Sequence, residues 1–380
     1  MGNVAIIGGG IVGASIAYHL SQFGDHSIKV YERKKLVGET TSKSVALFGL
    51  YGNETGREMK KYGLEMYNEL FEDSNVNSRY KLIGRLVVST TKEGACGLKM
   101  DFESEDIEDP ICYIPDGEIK QRIMCPYLNE NGIFGSTYQP NVGYFTPVEL
   151  AQAIIAKARQ NGVEFCEFSE VNEIVISENQ VEGIIVNGDM KKVDAVVCAA
   201  GPWNPIIAKS VGIELPIAHT LAPIVCLEAS VPMKTIIPFT QHVESGTYII
   251  GRDYQTTYVG KWADGDGQYD PDKISNEIPP NMKGQMLDIA KAFFPILEET
   301  EETGEWVGIR SSIEDGVPIV GWTEKKGFLI AAFDSSGIQL APAVGNIIAK
   351  QLLNGDPTEF YDRVSISRFK GHRDVKNKLD

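Results

Sequence analysis

Three glycines, Gly8, Gly10 and Gly13, stand at the spacing G-x-G-x-x-G. Glycines so placed let a backbone turn approach a pyrophosphate closely and seat it on the positive N-terminus of the following helix. The pattern alone is common, but its setting makes it specific. An apolar run, Val4-Ala5-Ile6-Ile7, precedes it; Ala14 to Phe23 follow with helical apolar spacing; and Glu32 closes a second strand-like run. The Glu32 carboxylate can accept hydrogen bonds from both hydroxyls of a ribose and would repel a 2′-phosphate. Gly8, Gly10, Ile11, Val12, Gly13 and Glu32 are therefore the predicted core of a dinucleotide site. The fingerprint does not separate a nicotinamide from a flavin, since both carry ADP.

Elsewhere the chemistry is sparse. Cys96, Cys112, Cys125, Cys166, Cys198 and Cys226 form no C-x-x-C pair, so neither a zinc ribbon nor a redox dithiol is expected. Reduced, mostly buried thiols of a cytosolic protein are. Of the five histidines, His19 falls in the first helix, His26 in a turn, His372 in the tail, and His219 and His242 near strands with no partner motif. None stands out as an acid or base, and structural or exposed roles are expected for all of them.

The elements that must carry these residues follow from periodicity. Val4 to Ile7, the helix stopped by Gly24 and the alternating Ser27 to Tyr31 make one β-α-β unit, which implies a parallel sheet with right-handed crossovers. A polar loop, Gly38 to Ser44, leads to a helical stretch around Glu58 to Phe71. From Leu82 to Tyr144 short strand-like runs, acidic loops (101–109) and Pro or Gly punctuation suit an antiparallel insert. Pro147 to Gly162 reads as a helix, 171–176 and 181–186 as a hairpin, and Val193 to Cys198 as a strand buried on both sides and ended by Gly201. Strand texture returns from His219 to Val259, a helix follows around Lys283 to Phe294, and Gly327 to Gly355 reads as a strand, a small-residue turn and a helix beginning near Ala341. The expected fold is an α/β Rossmann-type parallel-sheet domain (1–83, 145–216 and 305–380) with an interleaved antiparallel α+β substrate domain (84–144 and 217–304).

Composition agrees with a globular chain: 380 residues, 43% hydrophobic and 23% charged. Thirty-six basic against 52 acidic residues leave a net charge of −16, which works against broad nucleic-acid or anionic-membrane binding. The apolar stretch Val4 to Leu20 has no basic leader and carries four glycines, so it is expected to be neither a signal peptide nor a spanning helix; a cytoplasmic location is expected.

Several motifs in order resemble the D-amino acid oxidase superfamily of FAD-dependent oxidoreductases, which includes glycine and sarcosine oxidases, D-arginine dehydrogenase and the catalytic subunit of dye-linked L-proline dehydrogenase. They are Ala5 to Gly13 with Glu32-Arg33, the loop Thr40 to Ser44, Ala199-Ala200-Gly201-Pro202-Trp203, Trp306-x-Gly308-x-Arg310, Asp315-Gly316-x-Pro318-x-x-Gly321, and Gly337-Ile338-x-x-Ala341-Pro342-Ala343. The resemblance implies FAD, held also by Arg33, by the hydroxyls and amides of Thr40, Thr41, Ser42 and Ser44, by the Val171 backbone, and by Gly201 and Trp203. It further implies that Arg310 and the turn Ser335, Ser336, Gly337, Ile338 and Gln339 meet the flavin, where backbone donors and a helix dipole would face negative charge on the reduced ring. Relatives with covalent flavin use a cysteine near the position of Arg310 or a histidine in the loop after the first β-α-β unit. No cysteine follows Cys226 and 40–44 contain no histidine, so a non-covalent flavin is implied.

For the substrate, the resemblance implies that Arg310 holds a carboxylate, for which the guanidinium fork is suited. Tyr248 aligns with a pocket tyrosine that donates to the same carboxylate, and Arg252 lies on the same strand face, with a solvated strand end as its alternative. The implied reaction is oxidation of a small amino acid or secondary amine: hydride passes from the α-carbon to flavin N5 and the imine hydrolyses. Two departures stand out. The turn Phe333 to Ile338 lacks the basic group glycine oxidase has there, and Lys261 is offset by two positions from the lysine that activates oxygen in sarcosine oxidase. Oxygen, a quinone, a dye or a partner subunit are all left open as electron acceptor, as are a homo- or hetero-oligomer and a non-catalytic FAD-binding subunit.

Overall fold

The computed structural model describes residues 2–24, 26–72, 80–104, 110–262, 269–354 and 360–369. The acidic loop 101–109 lies partly, and His372 wholly, outside them. Asn3–Ile7 is the centre of a six-stranded sheet ordered Ile319–Trp322, Phe328–Ala332, Ala195–Cys198, Asn3–Ile7, Ser27–Tyr31, Glu164–Cys166, parallel except for its first pair. Strand alternation sends Val4 and Ile6 to one core and Ala5 and Ile7 to another. The first core is covered by the helices Ile11–Ser21 and Gly337–Asn354, and the second by the antiparallel strands Val171–Ser177 and Gln180–Val186, with Asp189–Lys192 as their exposed third strand, and by the helix Asn204–Ser210. Burial on both faces explains why Val4 to Ile7, Ala195–Cys198 and Phe328–Ala332 read as unbroken apolar runs.

A second sheet of eight strands runs in the order Thr300–Ile313, Ile217–Ala229, Thr256–Lys261, Thr247–Gly251, Phe239–His242, Arg85–Ser89, Gly135–Gln139, Cys112–Pro115. It is antiparallel except where Phe239–His242 pairs in parallel with Arg85–Ser89, the seam between two chain excursions. Thr300–Ile313 pairs along its length with Ile217–Ala229, so the expected boundary at 304/305 falls inside a strand. Register decides the two faces. Leu86, Val88, Val225, Leu227, Ile249, Val259 and Val307 point into a core closed by the helix Pro280–Phe293. The alternate residues, among them Phe239, Tyr248, Gly260, Ile224, Ala222, Gly308 and Arg310, share the opposite face.

The final helix begins at Gly337, four residues earlier than expected, with Pro342 inside it. Proline removes the N–H that would bond the Ile338 carbonyl. The Tyr67 hydroxyl donates to that carbonyl instead, at 2.6 Å, so the turn closes without an orphaned acceptor.

Candidate active site

Between the C-terminal edge of the parallel sheet and the free face of the eight-stranded sheet lies a cavity of about 600 Å³. Nearly every residue expected at the site lines it: Gly8, Gly10, Ile11, Val12, Glu32, Arg33, Thr40, Thr41, Ser44, Val171, Gly201, Trp203, Tyr248, Arg310 and Ser335 to Gln339. Two do not. A Cβ on Gly13 would lie 2.0 Å from the Gly8 carbonyl oxygen, so Gly13 lets the helix pack against its own turn. Ser42 donates to the Glu39 carbonyl at 2.8 Å and shapes the loop from within.

At one end, Gly8 takes φ +111 and approaches the Ala199 carbonyl, a position no side chain tolerates. Glu32 accepts from Gly9 N–H and Lys34 N–H, each at 2.9 Å, which fixes the carboxylate beside the turn. No side chain caps the helix Ile11–Ser21 at Gly10, although the Thr41 hydroxyl accepts from Ile11 N–H at 3.2 Å. Gly201 adopts φ +56, and beyond its own chain neighbours no atom of the described residues lies within 4 Å of where its Cβ would sit. The glycine thus serves a left-handed turn that leaves open space. Asp272, which stands in no motif, accepts from Arg33 at 2.7 Å and from Trp203 Nε1 at 3.0 Å, while the Arg33 guanidinium stacks 4.4 Å from the Trp203 ring.

At the other end Arg310 donates to Ser335 Oγ at 3.0 Å and lies 5.2 Å from the Trp262 ring centroid. Ser335 holds φ 49, a left-handed conformation uncommon outside glycine, where the last strand turns into the final helix. Tyr248 packs between Phe239 and Trp262, and its ring occupies space that only Gly260 leaves free. Burial pushes its phenol up to about 12, so it is a donor at neutral pH. Tyr51 and Trp262 also line the cavity and were missed. Neither stands in a motif, and their placement depends on strand register and loop path. Burial raises the Tyr51 phenol against the opposing fields of Arg85 and Arg310.

Arg252 is neither solvated nor in the cavity. It donates to the Val45 and Phe145 carbonyls at 2.6 and 3.3 Å and lies 3.7 Å from the Tyr144 ring centroid, tying the end of the strand Thr247–Gly251 to those distant loops. Lys261 pairs with Thr247 and is absent from the cavity wall. His242 has partners after all: Thr90 Oγ1, Glu244 and Ser245 Oγ, each at 2.8 Å. Of the six free cysteines only Cys125 and Cys198 are buried, fewer than expected. Among the described residues no helix is long and apolar enough to cross a membrane, and no cluster could hold a metal ion.

Residues 3–351 match the family described as DAO: FAD dependent oxidoreductase. A curated relative, the glycine oxidase of Geobacillus kaustophilus (strain HTA426), is 25% identical over 91% of this chain and 92% of its own length. The 4-methylaminobutanoate oxidase (formaldehyde-forming) of Paenarthrobacter nicotinovorans is 26% identical over 98% of this chain, which spans only 46% of that protein. Among solved structures, the L-proline dehydrogenase from P. horikoshii superposes with a TM-score of 0.85 at 23% identity, covering 98% of each chain, and shows the shared fold. The cavity fits the family's cofactor. A glycine cradle ends at a helix N-terminus with no side-chain cap, and the Glu32 carboxylate is held beside that turn by Gly9 N–H. Fold, cavity and a match spanning most of its length together place this chain in the DAO family of FAD-dependent oxidoreductases.

Proposed function

We propose that this protein oxidises the carbon–nitrogen bond of a small amino acid or secondary amine whose carboxylate is held by Arg310. The observation that carries this reading is the Arg310 guanidinium itself: it lies on the cavity wall, positioned by Ser335 and Trp262, on the sheet face that also presents Tyr248. FAD, when bound, supplies the hydride acceptor. The cradle Gly8 to Val12, with Glu32, Thr40, Thr41, Ser44, Val171, Gly201 and Trp203, would hold its dinucleotide portion, and Ser335 to Gln339 its ring. Arg310 and Tyr248 bind and orient the substrate carboxylate, while Phe239, Tyr248 and Trp262 exclude water around the reacting carbon. Among the described residues no histidine or cysteine lines the cavity, which supports a flavin held without a covalent bond.

A dehydrogenase that passes electrons to a quinone, dye or partner subunit is the second reading, supported by the absence of Lys261 from the cavity wall. Anaerobic titration with glycine, N-methylglycine, L-proline and related amino acids tests the first claim. Bleaching of the flavin by one of them is expected, and a flavin left oxidised by all would refute the assignment. Admitting oxygen or a soluble quinone to the reduced protein then distinguishes the acceptors. Acid precipitation is expected to leave FAD in the supernatant; colour in the pellet would contradict non-covalent binding.

A further inference from the structure

Gln339 is 6% exposed, lies on the cavity wall and uses only half of its amide. Its Nε2 donates to the Leu47 carbonyl at 2.8 Å and reaches the Tyr51 hydroxyl at 3.4 Å. Because a backbone carbonyl can only accept, the Leu47 contact fixes which end of the amide is nitrogen and removes the usual flip ambiguity. The other end, Oε1, is buried and meets no donor among the described residues. A buried carbonyl without a donor has lost its hydration and gained nothing for it, so a molecule that brings an N–H or O–H to it is favoured.

The surroundings narrow the donor. Tyr51 accepts from the same amide, so its own hydroxyl hydrogen is available to donate, and Tyr51 lies within the field of Arg310. Arg310 in turn donates to Ser335, four residues before Gln339 on the same turn. The substrate end of the cavity therefore presents a cation and phenol donors beside one unsatisfied acceptor. An amino acid has the complementary pattern, a carboxylate two bonds from an N–H.

We propose that Gln339 Oε1 accepts a hydrogen bond from the N–H of the amine being oxidised, orienting the nitrogen while Arg310 holds the carboxylate. The inference rests on the reading given under Proposed function and adds a selectivity to it. In the unprotonated form that can release hydride, primary and secondary amines have an N–H to offer and tertiary amines have none. Gln339 is thus a positioning and specificity-determining residue, and the site favours primary and secondary amines over their N-methylated tertiary counterparts.

The test uses the FAD-loaded wild type and the variants Gln339→Met, which keeps the length without the acceptor, and Gln339→Glu, which keeps an acceptor oxygen. Anaerobic reduction is followed with glycine, N-methylglycine and L-proline and with the tertiary N,N-dimethylglycine and N-methyl-L-proline. Methoxyacetate, a carboxylate lacking any N–H, is titrated by its effect on the flavin spectrum. For Gln339→Met the expected result is a rise of roughly 5- to 30-fold in the half-saturating concentration of the reactive primary or secondary amine. Tertiary amines should change little, methoxyacetate binding should stay within about twofold, and Gln339→Glu should recover part of the loss. Equal weakening of methoxyacetate would reduce Gln339 to a structural role and overturn the proposal. So would an altered flavin spectrum or FAD affinity with amine saturation unchanged, because the acceptor would then serve an N–H of the flavin ring. If no amine reduces the wild type, the amine-oxidising reading fails first, and that outcome is distinct from a variant that behaves like wild type.

Discussion

Arg310 shows what a single residue decides here. Replacing it with alanine should leave FAD binding and the visible spectrum intact while flavin reduction collapses, by about 30- to 1000-fold in kcat/KM for loss of a charge-assisted contact worth about 2–4 kcal/mol. Arg310→Lys should restore part, since an ammonium supplies charge without the fork or the planar stack on Trp262. Loss of flavin from the alanine variant would instead identify Arg310 as a structural cation. His19 has the opposite character. It is buried between helices, donates through Nδ1 to the Ser15 carbonyl at 2.8 Å, and burial lowers its pKa to about 4. Its folded pKa lies below the unfolded value near 6.5, so the unfolded chain binds the extra proton. Stability is complete above pH 6.5 and falls as pH drops toward 4, by up to about 3 kcal/mol. Denaturant melts of wild type and His19→Gln between pH 7 and 4 check this, with a shallower acid slope expected in the variant.

The first helix and the segment around Asp272 carry the predictions at the scale of elements. A Cβ at Gly13 meets a backbone carbonyl at 2.0 Å, which cannot give way without separating the helix from its turn, whereas a Cβ at Gly10 meets only the Thr41 hydroxyl at 3.1 Å. Gly13→Ala should therefore destabilise the fold by about 1–3 kcal/mol, and Gly10→Ala much less. Thermal melts that rank them the other way would reject this division of labour. Gly10→Val, which places bulk in the cradle itself, should lose FAD. Asp272 joins Arg33 and Trp203 across the cavity mouth, and four residues on Asn276 accepts from Lys43 at 2.9 Å. This stretch lies across the dinucleotide end, so Asp272→Ala should speed FAD release by about 3- to 10-fold in a stopped-flow assay with excess apoprotein scavenger. An unchanged release rate would show that the stretch does not restrain the cofactor.

At the scale of the molecule, the cavity wall is assembled from segments as distant as Gly8 and Gln339, with the final strand and helix completing what the first β-α-β unit begins. We propose a discontinuous flavin unit interleaved with a substrate unit; a contiguous fragment 1–216 should then fail to co-purify with FAD, and a yellow fragment would overturn that layout. What was legible in the sequence is what local physics controls. The glycine fingerprint, the acidic residue closing the second strand and the two-sided apolar runs each follow from short-range geometry, and motif order pointed to the flavin. The sequence also marked Arg310, but only through its motif, since an isolated arginine has no preferred partner. Strand register was not legible, because pairing depends on chain segments far apart: only the sheet puts Arg310, Tyr248 and Phe239 on one face and Val307, Ile249 and Leu86 on the other. The same holds for Arg252, bonded to carbonyls of distant loops, for Tyr67 replacing the hydrogen bond that Pro342 forfeits, and for Gln339, whose free carbonyl exists because Leu47 and Tyr51 claim its nitrogen. Sequence thus determined the glycine turn and its helix through backbone rules that act within a few residues, and the other candidate cofactor residues through motif order. Tertiary structure decided how the far end of the cavity is assembled around Arg310 and Tyr248, because hydrogen bonds and burial there link residues that the chain itself keeps far apart.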